Sequence, residues 1–199
     1  MDNYTMSDLI FEAEQGIVKA QAELCYRYYH GRRGAVRDYQ EAAKWSQRAA
    51  EQGNEIGQYY LGLHFWSNGA SGGQEAAQWF KEAVILFEKA IEKEYPYAYY
   101  MLGHAYSCGN GITKNQGLSK ALYTIAIQHI TPLADQGNVD AQYHLGICFY
   151  YGRGVIEDHK EALKWFEKAA KQGDITAIKW FDKLMRNPLR KSKSEGDEK

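Results

Sequence analysis

Small and apolar residues return at a fixed interval along this chain. In "AQYHLGICFYYGRG", Ala141, Leu145 and Phe149 stand four residues apart. The same interval carries Ala20, Leu24 and Tyr28, then Gly57, Leu61 and Phe65, then Ala98, Leu102 and Tyr106. Residues at i, i+4 and i+8 share one stripe of an α-helix, so four amphipathic helices are predicted, each called helix A of its segment. A small residue follows each leucine: Cys25, Gly62, Gly103 and Gly146. Glycine inside a helix costs about 1 kcal/mol relative to alanine. Close approach of a second helix is the physical reason for accepting that cost, because a missing side chain lets two backbones come together.

The second helix of each segment, helix B, is legible from a longer repetition. "YQEAAKWSQRAAEQG" (Tyr39 to Gly53) returns as "HKEALKWFEKAAKQG" (His159 to Gly173). Ala42, Trp45 and Ala49, and again Ala162, Trp165 and Ala169, fall on one helical face. Asp38 and Asp158 stand where an N-cap is expected, each with a glutamate three residues on (Glu41, Glu161), the pattern of a capping box. Glycines punctuate the turns between helices A and B (Gly31 and Gly34, Gly109 and Gly111, Gly152 and Gly154) and the ends of helix B (Gly53, Gly137, Gly173).

A pair of helices with two apolar faces cannot bury both alone, so successive pairs must stack. The string A-x-x-x-L-G-x-x-[YF]-x-x-G-x-G-V, followed by D-x-x-E-A-x-x-W-x-x-x-A-A-x-Q-G, resembles the Sel-one-like repeat, a relative of the tetratricopeptide repeat. Residues 141 to 173 match almost throughout, and the resemblance extends over roughly residues 8 to 185. It implies an all-α fold: a right-handed α-solenoid of stacked antiparallel helix pairs, curved, and used as an adaptor or binding scaffold. About four repeats are expected, near 17–53, 54–94, 95–137 and 138–173. Capping helices near 7–16 and 175–186 complete one domain over 1–186, followed by a disordered charged tail over 187–199. In the cap near 175–186, Ala177 and Phe181 are expected to carry the buried stripe.

The middle repeats depart from the pattern. The ends of helix B fall at Gly16, Gly53, near Glu94, Gly137 and Gly173, so the spacings are about 37, 41, 43 and 36 residues. In the second repeat "SNGASGGQ" replaces the usual turn, and Glu75 to Lys93 reads as one extended helix with Trp79 and Phe80 on an added turn. The third repeat lacks the tryptophan, and Pro132 is expected to kink or break its helix B.

Composition changes this picture little. The chain has 199 residues and a formal net charge of -1, with 45% hydrophobic and 25% charged residues. Such a balance gives no electrostatic footprint for nucleic acid or for an anionic membrane. No apolar run approaches the roughly 18 residues of a span, and the start lacks the pattern of an export signal, so a cytoplasmic protein without direct membrane insertion is expected. Cys25, Cys108 and Cys148 form no CxxC pair and read as buried reduced thiols. The six histidines (His30, His64, His104, His129, His144, His159) give no i, i+4 histidine pair, so neither metal nor cofactor is expected. "GASGG" spells a nucleophile elbow around Ser71, but that device needs a strand and an α/β sheet.

The candidate binding residues lie on a second stripe of the A helices. Taken three before, one after and four after the small residue, it reads Ala22, Tyr26, Tyr29; Tyr59, Leu63, Trp66; Tyr100, His104, Ser107; and Tyr143, Ile147, Tyr150. Eight of these twelve are Tyr, His or Trp. Such rings supply contact area at low entropy cost and keep a polar handle. The candidate partner-binding set on the concave face is therefore Tyr26, Tyr29, Tyr59, Leu63, Trp66, Tyr100, His104, Tyr143, Ile147 and Tyr150. The expected function is a non-catalytic protein or peptide scaffold, for example a bacterial adaptor or a toxin-neutralising immunity protein. The resemblance also admits a β-lactam-binding or β-lactam-hydrolysing enzyme like its cysteine-rich members, which are secreted and disulfide-stapled, and a regulator of envelope processes acting through a membrane partner. The sequence leaves the oligomeric state open.

Overall fold

A computed structural model describes residues 5–186, and the expected tail at 187–199 lies outside the described residues. Among the described residues there are ten helices and no strand: α1 (Met6–Glu14), α2 (Val18–His30), α3 (Tyr39–Glu51), α4 (Glu55–Ala70), α5 (Ala76–Glu92), α6 (Pro96–Cys108), α7 (Gln116–Asp135), α8 (Val139–Tyr151), α9 (His159–Lys171) and α10 (Ile175–Arg186). The chain divides into two compact units, Met1–Leu122 and Tyr123–Lys199. In the first, each helix from α1 to α6 packs against the next, and α2 also touches α4. In the second, α8 packs on α9 and α9 on α10.

Size complementarity holds A to B. A Cβ placed on Gly62 would lie 2.6 Å from the ring of Phe87, and one on Gly146 would lie 2.6 Å from the ring of Phe166. Both phenylalanines are fully buried. The glycines of α4 and α8 thus admit an aromatic ring from α5 and α9 where any side chain would collide. The corresponding positions in the first repeat hold Cys25 and Ser46, also fully buried, a medium pair in place of a small and a large one. Ala42, Trp45 and Ala49, and Ala162, Trp165 and Ala169, are buried on the faces that their spacing predicted.

The turns between A and B are built on one plan. Helix A ends on a left-handed glycine (Gly31, Gly109, Gly152), and the chain reverses within a few residues. At Gly111 (φ +73°) and Gly154 (φ +75°) a Cβ would meet the backbone of Phe80 and of Tyr123, so each turn lies directly on the helix B that precedes it. The N-caps work differently from the expected capping box. The carboxylates of Asp38 and Asp158 accept the amides of Gln40 and Glu41, and of Lys160 and Glu161. The cap amides themselves donate to the end of helix A, Asp38 N–H to Tyr28 C=O and Asp158 N–H to Phe149 C=O, both at 2.9 Å. Glu41 and Glu161 therefore have no cap amide to return to. Glu41 instead accepts from the Trp45 indole at 3.1 Å and from Lys44, while Glu161 pairs with Lys164.

Buried glutamines join consecutive repeats. Gln21 donates to Ala13 C=O and accepts from Gln52; Gln142 donates to Ala134 C=O and accepts from Gln172. The third member of this set, Gln58, has a buried carbonyl oxygen with no partner. The reason is local sequence: where Gln52-Gly53-Asn54 and Gln172-Gly173-Asp174 close helix B, the second repeat has Lys93-Glu94-Tyr95. Lys93 has no carboxamide, is exposed, and leaves the Gln58 oxygen without the donor that Gln52 and Gln172 provide. Glu94 takes the left-handed conformation (φ +56°) that glycine takes elsewhere, and Tyr95 supplies no capping oxygen for α6.

Two expectations are corrected. Pro132 does not end its helix, since α7 continues to Asp135. The proline removes a single bond, to the carbonyl of Gln128, an exposed residue of the helix. In α10 the buried stripe is Ala177 and Leu184, seven residues apart, whereas Phe181 remains partly exposed. A terminal helix that packs on α9 buries one narrow stripe, and Phe181 falls beside it.

Replacing Gly146 by alanine is expected to lower unfolding free energy by about 1–3 kcal/mol, because the buried ring of Phe166 has nowhere to move. Urea denaturation measures it, and stabilisation by the better helix former would refute the close-approach account. At the weak junction, Lys93→Gln with Glu94→Gly is expected to stabilise by about 1–2 kcal/mol, raising the thermal midpoint by a few degrees.

Candidate functional site

The expected stripe divides by burial. Tyr59, Tyr100 and Ile147 are buried, 4%, 5% and 7% exposed, and offer no surface to a partner. Ala22 of the same stripe is buried as well. Tyr26, Tyr29, Leu63, Trp66, His104, Tyr143 and Tyr150 are half-buried, with one side packed and one side open.

In the first unit these residues join a connected group of rings on α2, α4 and α6. The Tyr29 ring lies 4.8 Å from Tyr60 and 5.3 Å from Tyr39, and a 2.8 Å hydrogen bond joins His30 Nε2 and the Tyr60 hydroxyl. The Tyr26 hydroxyl accepts from Arg32 at 2.8 Å, with Arg33 over its ring. Trp66 stands edge-on to Phe80 at 4.8 Å and lies 5.4 Å from His104. Between α2, α3 and α4 lies a cleft of about 330 Å³, bordered by Tyr29, Tyr39, Tyr60, Leu63, His64 and Asn68, of which Tyr29 and Leu63 belong to the expected set. That volume is at the lower end for ligand pockets, room for one large side chain of a partner. Its wall is mixed: rings and Leu63 give apolar contact, while Asn68, hydrogen-bonded to His64 Nε2 at 3.2 Å, gives a polar edge.

In the second unit, Tyr150 stacks on His159 at 4.8 Å and meets Trp180 of α10 at 4.9 Å. Trp180 in turn stacks on Phe166. Burial, reinforced by the charge of Asp174, pushes the Tyr143 hydroxyl up to about 12, against the indole N–H of Trp180, which acts the other way. This phenol stays neutral and serves as a hydrogen-bonding group.

Sequence reasoning missed Tyr60 and Trp180. Both stand three residues after the first small residue of their helix, Gly57 and Ala177. Extending the outer stripe back by three, the other helical neighbour spacing, reaches them. It also missed the state of one thiol: Cys25 and Cys148 are buried, but Cys108 is exposed, because it is the last residue of α6. All three cysteines are free, so no disulfide staples this chain. Ser71 closes α4 with its hydroxyl donating to Ser67 C=O, which is the role of a helix-end residue. Among the described residues no helix is long and apolar enough to cross a membrane.

Burial holds His64 below the ordinary imidazole value of 6.5. A histidine with a depressed folded pKa binds its proton more readily when unfolded. Stability is therefore full above 6.5 and falls as pH drops through the unfolded value toward the folded one. The thermal midpoint is expected to fall less between pH 7.5 and about 5.5 in His64→Gln than in the native chain; equal slopes would remove His64 from the acid response.

A family model described as Sel1 repeat matches residues 18–54, 56–95, 96–129 and 139–174. An uncharacterised protein of Neisseria meningitidis is 28% identical over 165 residues, covering 83% of this chain and 30% of that protein. Among solved structures, a protective antigen of uropathogenic Escherichia coli with an SLR fold is 34% identical at a TM-score of 0.50, covering 94% of this chain and 37% of the antigen. A Sel1 repeat protein from Oxalobacter formigenes is 30% identical at a TM-score of 0.51, covering 89% of this chain and 66% of that one. The chain thus spans about a third of the length of the first two.

Proposed function

Because the chain belongs to the Sel1 repeat family, whose members generally mediate protein–protein contacts as helical scaffolds, we propose that it holds a partner protein or peptide on the half-buried aromatic face of its A helices. The observation that carries this reading is the cleft beside Tyr29, Tyr60 and Leu63, where rings held by their neighbours leave room for a partner's side chain. Rings fixed in advance lose little freedom on binding, so more of the contact energy remains as affinity. Trp66 and His104 extend the surface in the first unit, and Tyr143 and Tyr150 supply a second aromatic surface in the other. Tyr26 belongs to the same face, with its hydroxyl already engaged by Arg32. A bacterial adaptor and an immunity protein that neutralises a toxin in the cytoplasm are two concrete forms of this role. Fold alone chooses neither.

Truncating Trp66 would also remove packing against Phe80, so Leu63→Glu is the cleaner probe: a half-buried residue of the cleft wall whose longer charged replacement reaches solvent. Affinity capture from a lysate of the source organism is expected to retain a protein with the native chain and with Glu88→Ala, on an exposed position of α5, and to lose it with Leu63→Glu. Circular dichroism checks that the variants keep their helices. Undiminished capture by folded Leu63→Glu would remove the cleft from the interface.

A further inference from the structure

The outer face of α10 is apolar, where the end of a helical array is ordinarily polar. Ile178 and Met185 are 38% and 56% exposed, Ile175 is exposed at the start of the helix, and Phe181 is half-buried. At i, i+3 and i+7, Ile178, Phe181 and Met185 form one stripe, beside the Ala177 and Leu184 stripe that is buried where α10 packs on α9. We propose that this stripe is a self-association face, on which α10 of a second copy of the chain lies antiparallel across a two-fold axis.

Three observations choose that occupant. A further helix B does not fit. Counted from the small residue, Asp182 stands in α10 where α8 has Gly146, and even a Cβ on Gly146 would lie 2.6 Å from the ring that helix B inserts. The sequence beyond α10 supplies no cover either, because residues 187–199 hold Leu189 as their single large apolar residue. A second α10 does fit, and its charges fix the register. Lys179 and Asp182 lie on the edge adjoining the apolar stripe, both exposed, and neither engages in an ion pair among the described residues. Antiparallel two-fold pairing sets the same edge of both helices together, so Lys179 of each copy meets Asp182 of the other. Ile178 then meets Met185 of the second copy, and Phe181 meets its own counterpart on the axis. The midpoints of all three pairings fall within one residue of Phe181, so one register satisfies the apolar and the charged contacts together. An isologous contact of this kind closes at two copies. Two helices about 18 Å long bury less than the roughly 1,200 Å² of a standard interface, so the dimer forms weakly and reversibly. Trp180, which joins the aromatic surface of the second unit, lies on another side of α10, and the face is independent of the scaffold reading.

Sedimentation velocity of the untagged, reduced full chain, from about 10 µM to about 1 mM, tests the pairing. The native chain is expected to shift with concentration from monomer toward twice the monomer mass and to stop there. Ile178→Glu with Met185→Glu, both at exposed positions, is expected to stay monomeric, and circular dichroism verifies folding. Lys179→Glu alone and Asp182→Lys alone set like charges opposite each other and are expected to weaken the dimer by about tenfold. The double swap restores it, because the two-fold axis pairs the reversed charges again. A native chain that stays monomeric over this range overturns the face, as does association that persists in folded Ile178→Glu with Met185→Glu. Growth past the dimer overturns the two-fold closure. Single swaps without effect, or a double swap no better than the singles, overturn the register.

Discussion

The fold depends on how closely helix A can approach helix B. Where α4 and α8 present glycine, α5 and α9 insert a phenylalanine ring against the bare backbone. A glycine that costs about 1 kcal/mol of helix propensity is offset by a fully buried ring, worth about 1.5–3 kcal/mol in apolar burial. The first repeat solves the same packing problem with Cys25 and Ser46. The division of volume between the helices varies from repeat to repeat, and the buried cysteine–serine pair fills less of the interface than glycine with phenylalanine.

That approach constrains the turns. Two helices so close can be joined only by a tight reversal, and the left-handed glycine ending helix A provides it. The reversal brings the N-cap amide of helix B to a carbonyl at the end of helix A, a long-range bond that displaces half of the expected capping box. A glutamate freed from capping then serves the tryptophan below it in the first repeat. In the fourth, Glu161 pairs with Lys164 and the equivalent Trp165 indole nitrogen has no hydrogen-bond partner. The same four-letter pattern therefore ends in two different side-chain arrangements.

The candidate surface follows from what stacking leaves uncovered. Packing between successive helices takes Tyr59, Tyr100 and Ile147 out of the outer stripe and leaves Tyr29, Leu63, Trp66, His104 and Tyr150 half open. Rings from outside the stripe, Tyr39, Tyr60 and Trp180, complete the surfaces. The stripe was legible because helical periodicity is local. Its division into buried and open residues was not, because that depends on how each helix rotates against neighbours from other repeats.

Sequence by itself determined the number and kind of elements: stripes at i, i+4 and i+8, recurring glycines and the repeated "EA-KW" stretch require paired helices, because each expresses a short-range preference of the backbone. It also put the end of the second helix B near Glu94, where the other repeats carry glycine, since a departure from a repeat is visible wherever the repeat is. Tertiary structure alone decided the rest. The continuation of α7 through Pro132 accompanies an exposed Gln128, the burial of Leu184 in place of Phe181 depends on what covers α10, and the exposure of Cys108 on where α6 ends. Each is a question of which surface lies opposite, and residues distant in sequence supply that surface.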